Sequence, residues 1–284
     1  MTASPLRYPG GKAALANLLV GIRRANALGH STIAEPFAGG AGASLTLLYL
    51  EEFRHVHIND ADTSIFSFWW TLKNRPRPFL KRLSQTRVNM TEWRRQRNIY
   101  RNEQRTSRLD QAFSTFYLNR CNRSGIILNG GPIGGVAQTG KWKLGARFNK
   151  VELVRRCQRV VEYRERIRVS NDDGLGLISK LDPHTTFFFI DPPYFEKGPA
   201  LYLNALSADY HAALAQRLKQ MQGAAWTLTY DDCPEIRRLY RGWASVRPFR
   251  LRYVASERRL GRELLITPKW IHLPDRQSSL ALSW

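Results

Sequence analysis

Cysteine and histidine are sparse in this 284-residue chain, and neither forms a cluster. Cys121, Cys157 and Cys233 are an odd and scattered set, whereas disulfide frameworks and zinc sites need cysteines at close, repeated spacings. Of the six histidines only His55 and His57 lie near each other, in a strand pattern. We therefore predict no disulfide framework and no metal site.

Long hydrophobic runs are also missing. No uninterrupted apolar stretch approaches the ~18 residues that a helix needs to cross a bilayer. The N-terminal residues 1–7 lack the apolar segment of a secretory signal. We therefore expect no membrane association and a reduced, cytoplasmic compartment.

Acidic residues are few compared with basic ones. Asp and Glu number 23 against 44 Lys and Arg, which gives a net charge of +21 and a pI near 10.5. A surface this cationic attracts polyanions, and nucleic acid is the default partner. An anionic lipid surface is the competing partner, but no basic amphipathic helix stands apart from the rest. The 43% hydrophobic and 11% aromatic content indicates a folded protein.

The first part of the chain has the pattern of a nucleotide-binding α/β unit. An apolar strand pattern at 31–37 ends in a glycine-rich turn that includes Gly39, and a helical pattern follows. The next strand ends at Asp60, 21 positions after Gly39, where an acid can accept hydrogen bonds from a ribose diol. An ordinary turn and a helix N-cap are the alternative roles. A phosphate-binding Gly-x-x-x-x-Gly-Lys motif is missing, which favours a nucleoside cofactor without phosphates.

A basic segment at 73–165 interrupts this α/β pattern. Between Lys73 and Asp110 there are twelve Lys and Arg and only three acids, with apolar residues at helical spacing. Seven glycines then occur between residues 122 and 150. The α/β pattern resumes with strand candidates near residues 167, 186, 226 and 263. We predict one Rossmann-like α/β sheet domain, formed by 1–72 and 166–284, with a mainly helical, basic insert at 73–165.

The most informative motif follows the continuous apolar run at 186–190. The run predicts a strand buried on both faces, and Pro192 and Pro193 end it because proline cannot donate to a sheet ladder. Asp191 is thereby placed at the carboxyl end of a strand, where open α/β sheets bind ligands. Tyr194 adds a flat ring, so the motif suits a planar base with an exocyclic amine. A strand that ends in Asp-Pro by chance is the alternative.

Together these motifs resemble the Dam-type, alpha-group adenine-N6 DNA methyltransferases. Four blocks carry the resemblance, in the order of that family: Arg7-Tyr8-Pro9-Gly10-Gly11-Lys12, Glu35-Pro36-Phe37-Ala38-Gly39-Gly40, Asn59-Asp60 and Asp191-Pro192-Pro193-Tyr194. The glycine block departs from the usual Phe-x-Gly-x-Gly, with its last glycine displaced to Gly42. The insert lacks the Phe-Asn-x-Pro-Phe-Gly element of GATC-reading members, so no GATC target is assumed.

The resemblance implies S-adenosylmethionine as cofactor and double-stranded DNA as substrate. Asp191, Pro192 and Tyr194 would be catalytic, through direct in-line methyl transfer to an adenine flipped out of the duplex. The expected cofactor-binding residues are Tyr8, Lys12, Phe37, Gly39, Asp60 and Asp191.

Five side chains of the insert are candidates for DNA contact, because Arg and Lys pair with phosphates or guanine and Asn pairs with adenine. They are Arg120, Asn122, Arg123, Lys141 and Arg147. The resemblance adds Arg7 as a sixth candidate, since the residue before the aromatic of the N-terminal block reaches DNA in some members of that family. An RNA adenine-N6 methyltransferase and a catalytically idle DNA-binding protein of the same fold are the alternative functions. A restriction endonuclease partner is compatible with the family.

Overall fold

Seven strands form one sheet in the part of the chain that the computed structural model describes, residues 3–7, 15–195, 206–254 and 258–274. The strands are β1 (Thr32–Glu35), β2 (His55–Asn59), β3 (Ile167–Ser170), β4 (Thr186–Ile190), β5 (Trp226–Asp231), β6 (Ala244–Val254) and β7 (Arg258–Pro268).

The strand order is β3-β2-β1-β4-β5-β7-β6. The first five strands are parallel, whereas β7 is antiparallel to both of its neighbours, β5 and β6. Parallel strands need crossover connections, which the helices between them supply. The predicted Rossmann-like α/β sheet is confirmed. The prediction did not include β6, an edge strand.

The connecting helices are short. They are α1 (Ala16–Ala25), α2 (Gly42–Tyr49), α3 (Thr63–Asn74), α4 (Pro76–Gln85), α5 (Met90–Arg101), α6 (Arg108–Cys121), α7 (Lys150–Glu162), α8 (Gly174–Lys180), α9 (Ala208–Gln220) and α10 (Pro234–Tyr240). Within the described ranges, none of them combines the length and the hydropathy that a bilayer crossing requires.

Strand β4 has a hydrophobic core on each of its faces, because successive side chains of a strand point to opposite sides. Phe187 and Phe189 belong to one core, while Phe188 and Ile190 belong to the other. All four side chains are buried. The apolar run that the sequence shows is therefore the central strand, and it positions Asp191 directly after its last residue.

The basic segment at 73–165 begins with the last two residues of α3, ends before β3 and contains helices α4 to α7. Helices α4, α6 and α7 pack on α3, and α5 packs on α6, as part of the core on one sheet face. The ring of Phe68 in α3 stacks on Phe116 in α6, with centroids 5.7 Å apart and planes 8° apart, and Phe79 of α4 packs against both. Each buried phenylalanine stabilises this packing by roughly 1.5–3 kcal/mol. The segment therefore shares a core with the sheet.

Candidate active site at the carboxyl edge of the sheet

The carboxyl ends of β1, β2 and β4 lie side by side. The rim of the sheet that these strand ends form is its carboxyl edge. Strand β1 pairs in parallel with β2 on one side and with β4 on the other. This is the point at which the strand order reverses direction, and open α/β sheets bind ligands in the crevice that such a reversal creates. Three acids lie at these strand ends, namely Glu35 on β1, Asp60 after β2 and Asp191 after β4.

Asp60 holds the glycine-rich loop against the end of β2. Its Oδ2 accepts a hydrogen bond from the backbone N–H of Gly39 at 2.8 Å, and its Oδ1 accepts from the N–H of Asp62 at 2.9 Å. Gly39 has a φ of +46°, a conformation that glycine adopts at little cost. The cap of α3 is Asp62, whose Oδ1 accepts from the N–H of Ser64 at 2.8 Å. The helix-cap role that was the alternative for Asp60 thus belongs to Asp62.

Two of the acids have raised pKa values. Burial raises the pKa of Asp60 to about 7, and the nearby charge of Asp62 adds to the shift. Burial also raises the pKa of Glu35 to about 7; the hydrogen bond from the N–H of Ser44 at 2.7 Å opposes this shift, and the charge of Asp191 reinforces it. Because a nearby positive charge favours the ionised form of an acid, this edge suits a cationic ligand.

The ring of Phe37 is half-buried beside the start of α8. It meets the ring of Tyr210 edge-on, with centroids 6.4 Å apart. Gly174 at the start of α8 leaves room for it, since a Cβ there would lie 2.3 Å from the Phe37 ring. The hydroxyl of Tyr210 donates to Asp173 at 2.6 Å, and Asp173 caps α8. These contacts fix one wall next to the glycine-rich loop.

Asp191 is oriented by the neighbouring strand β5. The hydroxyl of Thr229 donates to Oδ1 of Asp191 at 2.6 Å, and Thr229 itself is completely buried. Asp191 is half-buried, and Pro192 behind it is buried. A hydrogen bond to the ionised form of a carboxylate favours that form. The geometry therefore presents an oriented carboxylate at the edge of the sheet.

Tyr194 lies deeper than the sequence suggested. Its side chain is only 8% exposed, and its hydroxyl donates to Oε1 of Glu263 on β7 at 2.7 Å. The next residue, Phe195, donates its backbone N–H to Oδ1 of Asp231 on β5 at 3.2 Å. The catalytic role that the resemblance implies for Tyr194 stays a prediction, and little of its ring is exposed in this conformation.

Four polar residues of this edge were not among the predicted site residues. Glu35 occurs inside the glycine block, and its place at the end of a strand was the available signal. Asp231 likewise ends β5. Thr229 and Glu263 carry no such signal, because β5 and β7 become neighbours only through the antiparallel pairing of distant segments.

The N-terminal segment is tied to the end of α6. Asn119 accepts from the backbone N–H of Arg7 at 2.7 Å and donates to its carbonyl oxygen at 2.5 Å. The guanidinium of Arg7 is half-buried, with one nitrogen 3.5 Å from the carbonyl oxygen of Asn122. Tyr8 and Lys12, the expected cofactor contacts, lie outside the described residues.

Two of the six predicted DNA contacts are buried and make structural hydrogen bonds in this conformation. Asn122 is 1% exposed; its amide donates to the carbonyl oxygens of Ile126 and Ile127, and its Oδ1 accepts from Trp93. Arg120 is 8% exposed, its Nε donates to a backbone carbonyl oxygen at 2.9 Å, and burial lowers its pKa to about 9. Residue type made both candidates for reading bases, but in this structure their polar atoms brace the loop after α6.

The other three predicted contacts, Arg123, Lys141 and Arg147, are exposed. They lie in a glycine-rich segment, 122–149, which contains no acidic residue. The same segment exposes 65% of Trp142 and 63% of Val136. Among the described residues, no group of three or more His, Cys, Asp or Glu side chains has an arrangement that could hold a metal ion.

Two solved structures resemble the chain only distantly. One is described as a class I S-adenosylmethionine-dependent methyltransferase from Listeria monocytogenes, at 10% identity and a TM-score of 0.39, with 93% of this chain and 62% of that chain covered. The other is the rRNA methyltransferase AviRa from Streptomyces viridochromogenes, at 13% identity and a TM-score of 0.33, with 91% and 92% covered. At these scores neither supports an inference about this chain. No curated protein sequence matches it.

A family model matches residues 8–255, which is most of the chain and includes all the site residues described above except Arg7 and Glu263. Its description is D12 class N6 adenine-specific DNA methyltransferase. At the level of the family, the match confirms the predicted enzyme class, the methyl donor S-adenosylmethionine and DNA as substrate. The chain belongs to the D12 class N6 adenine-specific DNA methyltransferase family.

Proposed function

We propose that this enzyme methylates an adenine of double-stranded DNA while that adenine is flipped out of the helix, by direct transfer without a covalent enzyme intermediate. The observation that carries the proposal is the position of Asp191. It lies at the same sheet edge as the Asp60–Gly39 loop and is oriented by the hydroxyl of Thr229 at 2.6 Å. The groups proposed to bind the cofactor and the base would thereby be neighbours.

The described residues fit S-adenosylmethionine by their chemistry. Gly39 has no side chain, so the cofactor can approach the backbone closely there. The Asp60 carboxylate can accept hydrogen bonds from the ribose hydroxyls. Glu35 and Asp60, whose pKa values are raised, would be stabilised in their ionised forms by a cationic ligand. When bound, the cofactor supplies an electrophilic methyl group on a sulfonium sulfur. Phe37 would contribute a wall, and Tyr8 and Lys12 stay as expectations from the family.

Asp191 and the carbonyl oxygen of Pro192 would each accept one hydrogen bond from the adenine amine. The lone pair of that amine is delocalised into the ring, so the free base is a poor nucleophile. Holding both protons orients the nitrogen and raises its electron density, which is catalysis by positioning and electrostatics.

The cysteines support a reaction without a covalent intermediate. Cys121, Cys157 and Cys233 are all buried. Burial raises the pKa of Cys121 to about 12 and also raises that of Cys157, so neither thiol forms the reactive thiolate at neutral pH.

The glycine-rich segment 122–149 would face the DNA. Its exposed cations can contact phosphates, and the exposed ring of Trp142 offers a surface on which an unstacked base can rest. Such a surface is useful because the adenine amine lies inside the duplex, and flipping costs a few kcal/mol. A DNA substrate is also consistent with the cytoplasmic compartment expected from the sequence.

The substrate test compares matched oligonucleotides. With purified enzyme and radiolabelled S-adenosylmethionine, we expect label in adenine N6 of duplex DNA and at least tenfold less in RNA of the same sequence. Preferred methylation of the RNA would instead support the alternative function. Binding of duplex without methylation of any oligonucleotide, with random-sequence DNA included, would support the idle DNA-binding protein.

The salt dependence of DNA binding tests the proposed DNA-facing surface. Replacing Arg123, Lys141 and Arg147 together by alanine should flatten the plot of log K against log salt concentration, by about 0.9 for each phosphate that the variant no longer neutralises. The measurement is fluorescence anisotropy with a non-specific duplex over a range of salt concentrations.

The matched control removes two exposed arginines from elsewhere on the protein. Arg54 lies directly before β2, at the amino end of that strand, and Arg238 lies on α10. The double variant Arg54→Ala, Arg238→Ala should keep the slope of the parent. Equal slopes for the triple variant and the parent would exclude the segment 122–149 as the phosphate-binding surface.

A further inference from the structure

Strands β5 and β7 lie behind the Asp191–Phe195 segment and present three buried polar side chains to it. On β5, Thr229 is 0% exposed and Asp231 is 2% exposed, and both lie on one face of the strand because they are two positions apart. On β7, Glu263 is 0% exposed and pairs directly with Asp231 across the antiparallel ladder.

Each of these side chains contacts a different residue of the segment. Thr229 donates to the Asp191 carboxylate, and Glu263 accepts from the Tyr194 hydroxyl. Asp231 accepts from the backbone N–H that follows Tyr194. The three contacts fix the carboxylate, the ring and the main chain of the segment independently.

We propose that Thr229, Asp231 and Glu263, named here the β5–β7 clamp, are positioning residues for the methyl transfer. The inference rests on the proposed function, since it assigns these residues a role in that reaction. Burying two carboxylates at opposed positions of a ladder is costly to folding, because a buried acid loses its hydration. Their hydrogen bonds to the Asp191–Phe195 segment are a role that apolar residues at these positions could not fill.

Thr229 allows the sharpest test, because β5 contains its own control. Thr227 lies two positions earlier on the same face and is also 0% exposed, and among the described residues its hydroxyl has no hydrogen-bond partner. Thr229→Val and Thr227→Val therefore remove the same atom from the same strand, but only the first change removes a hydrogen bond to Asp191.

We expect Thr229→Val to lower the single-turnover methylation rate at saturating cofactor and DNA by tenfold or more. The affinities for cofactor and duplex should stay within about threefold of the parent. Thr229→Ser keeps the hydroxyl and should restore most of the rate, and Thr227→Val should match the parent. A merely structural role of Thr229 would instead lower stability and leave the rate of the folded enzyme unchanged.

The pH dependence of the methylation rate gives a second readout. It can be measured with a small amount of folded variant. Without the Thr229 hydrogen bond the ionised form of Asp191 is less favoured. The acid limb of the pH–rate profile, where the methylation rate falls as the pH is lowered, should therefore move to higher pH in Thr229→Val. Glu35 of β1 and Tyr230 of β5 are titratable groups whose pKa values the charge of Asp191 raises, and the substitution leaves both in place.

Glu263→Gln tests the second arm of the clamp. The amide keeps an oxygen that can accept from Tyr194, so the variant should retain more activity than Glu263→Leu. Fluorescence of 2-aminopurine at the target position should show weaker retention of the flipped base in Glu263→Leu.

The outcomes separate this inference from the function on which it rests. A parent protein that methylates no adenine substrate overturns the proposed function and the clamp with it. An active parent, with Thr229→Val at the parental rate and with an unshifted acid limb, overturns the clamp alone.

Discussion

Asp191→Ala is expected to lower the single-turnover rate of methyl transfer by two or more powers of ten. The carboxylate would accept a hydrogen bond from the adenine amine with both charge and geometry, and the hydroxyl of Thr229 holds it at 2.6 Å. One well-aimed electrostatic contact of this kind contributes ~3 kcal/mol to transition-state stabilisation. Asp191→Asn keeps an acceptor oxygen but loses the charge, so it should also be severely impaired.

Binding of the duplex should survive both substitutions, because phosphate contacts supply most of the affinity. Loss of a negative charge near the DNA can even strengthen it. Asp209→Ala, which removes an exposed acid from the first turn of α9, serves as the control and should keep the parental rate. A rate near that of the parent in Asp191→Ala would show that the proposed role of Asp191 is wrong.

Tyr194 illustrates how the structure sharpens an expectation drawn from a motif. The sequence suggests only a flat ring that lies beside a planar base. In the structure the hydroxyl donates to the buried Glu263, so Tyr194→Phe would deprive a buried carboxylate of one donor. The phenylalanine variant is therefore a test of positioning as well as of stacking.

The central strand could be predicted because its pattern has a single physical meaning. An apolar run without alternation, ended by two prolines, describes a strand that is buried on both faces, and β4 is such a strand. By contrast, β6 was not predicted, since its sequence includes Arg247 and Pro248, both exposed. On the outermost strand of a sheet, charged residues and proline are tolerated, and they discourage pairing with other chains. Such residues also weaken the local sequence signal of a strand.

The residues of the candidate site also fall into two groups, those that the local sequence predicts and those that it does not. The position of Asp60 follows from spacing along one continuous βαβ unit, which local sequence determines. Thr229 and Glu263 join the site through pairing between β5 and β7, and a sequence pattern does not reveal such partners. Asn122 shows the opposite difficulty, since an asparagine side chain suits base recognition and loop bracing equally well, and only its burial distinguishes the two roles.

Asp60→Ala is expected to weaken the binding of S-adenosylmethionine by roughly ten- to a hundredfold. Hydrogen bonds to a charged acceptor contribute about 1.5–3 kcal/mol, and the substitution also releases the backbone of Gly39. Isothermal titration calorimetry measures the affinity directly, and the cofactor-induced rise in melting temperature should shrink in parallel.

Asp62→Ala is the matched control, because it removes an acid two positions away that caps α3. Loss of the cap should cost about 1 kcal/mol of stability. The affinity for the cofactor should stay at the parental value or rise slightly, because the charge of Asp62 is one cause of the raised pKa of Asp60. Equal cofactor affinities for Asp60→Ala and Asp62→Ala would rule out the ribose-binding role.

The raised pKa of Asp60 adds a pH dependence with a definite sign. In the cofactor-free protein burial raises this pKa from 3.8 to about 7, so the folded state holds a proton that the unfolded chain releases between about pH 4 and 7. The contribution of Asp60 to stability therefore falls as pH rises through that window. In the proposed site, cofactor binding requires the ionised carboxylate of Asp60, so this group alone should increase the affinity by about tenfold from pH 6 to pH 8, after which its effect levels off. Glu35, whose pKa is also about 7, contributes in the same direction, so Asp60→Asn should reduce the dependence and Asp60→Asn with Glu35→Gln should abolish it. An affinity that is independent of pH in the parent would show that neither acid faces the cofactor.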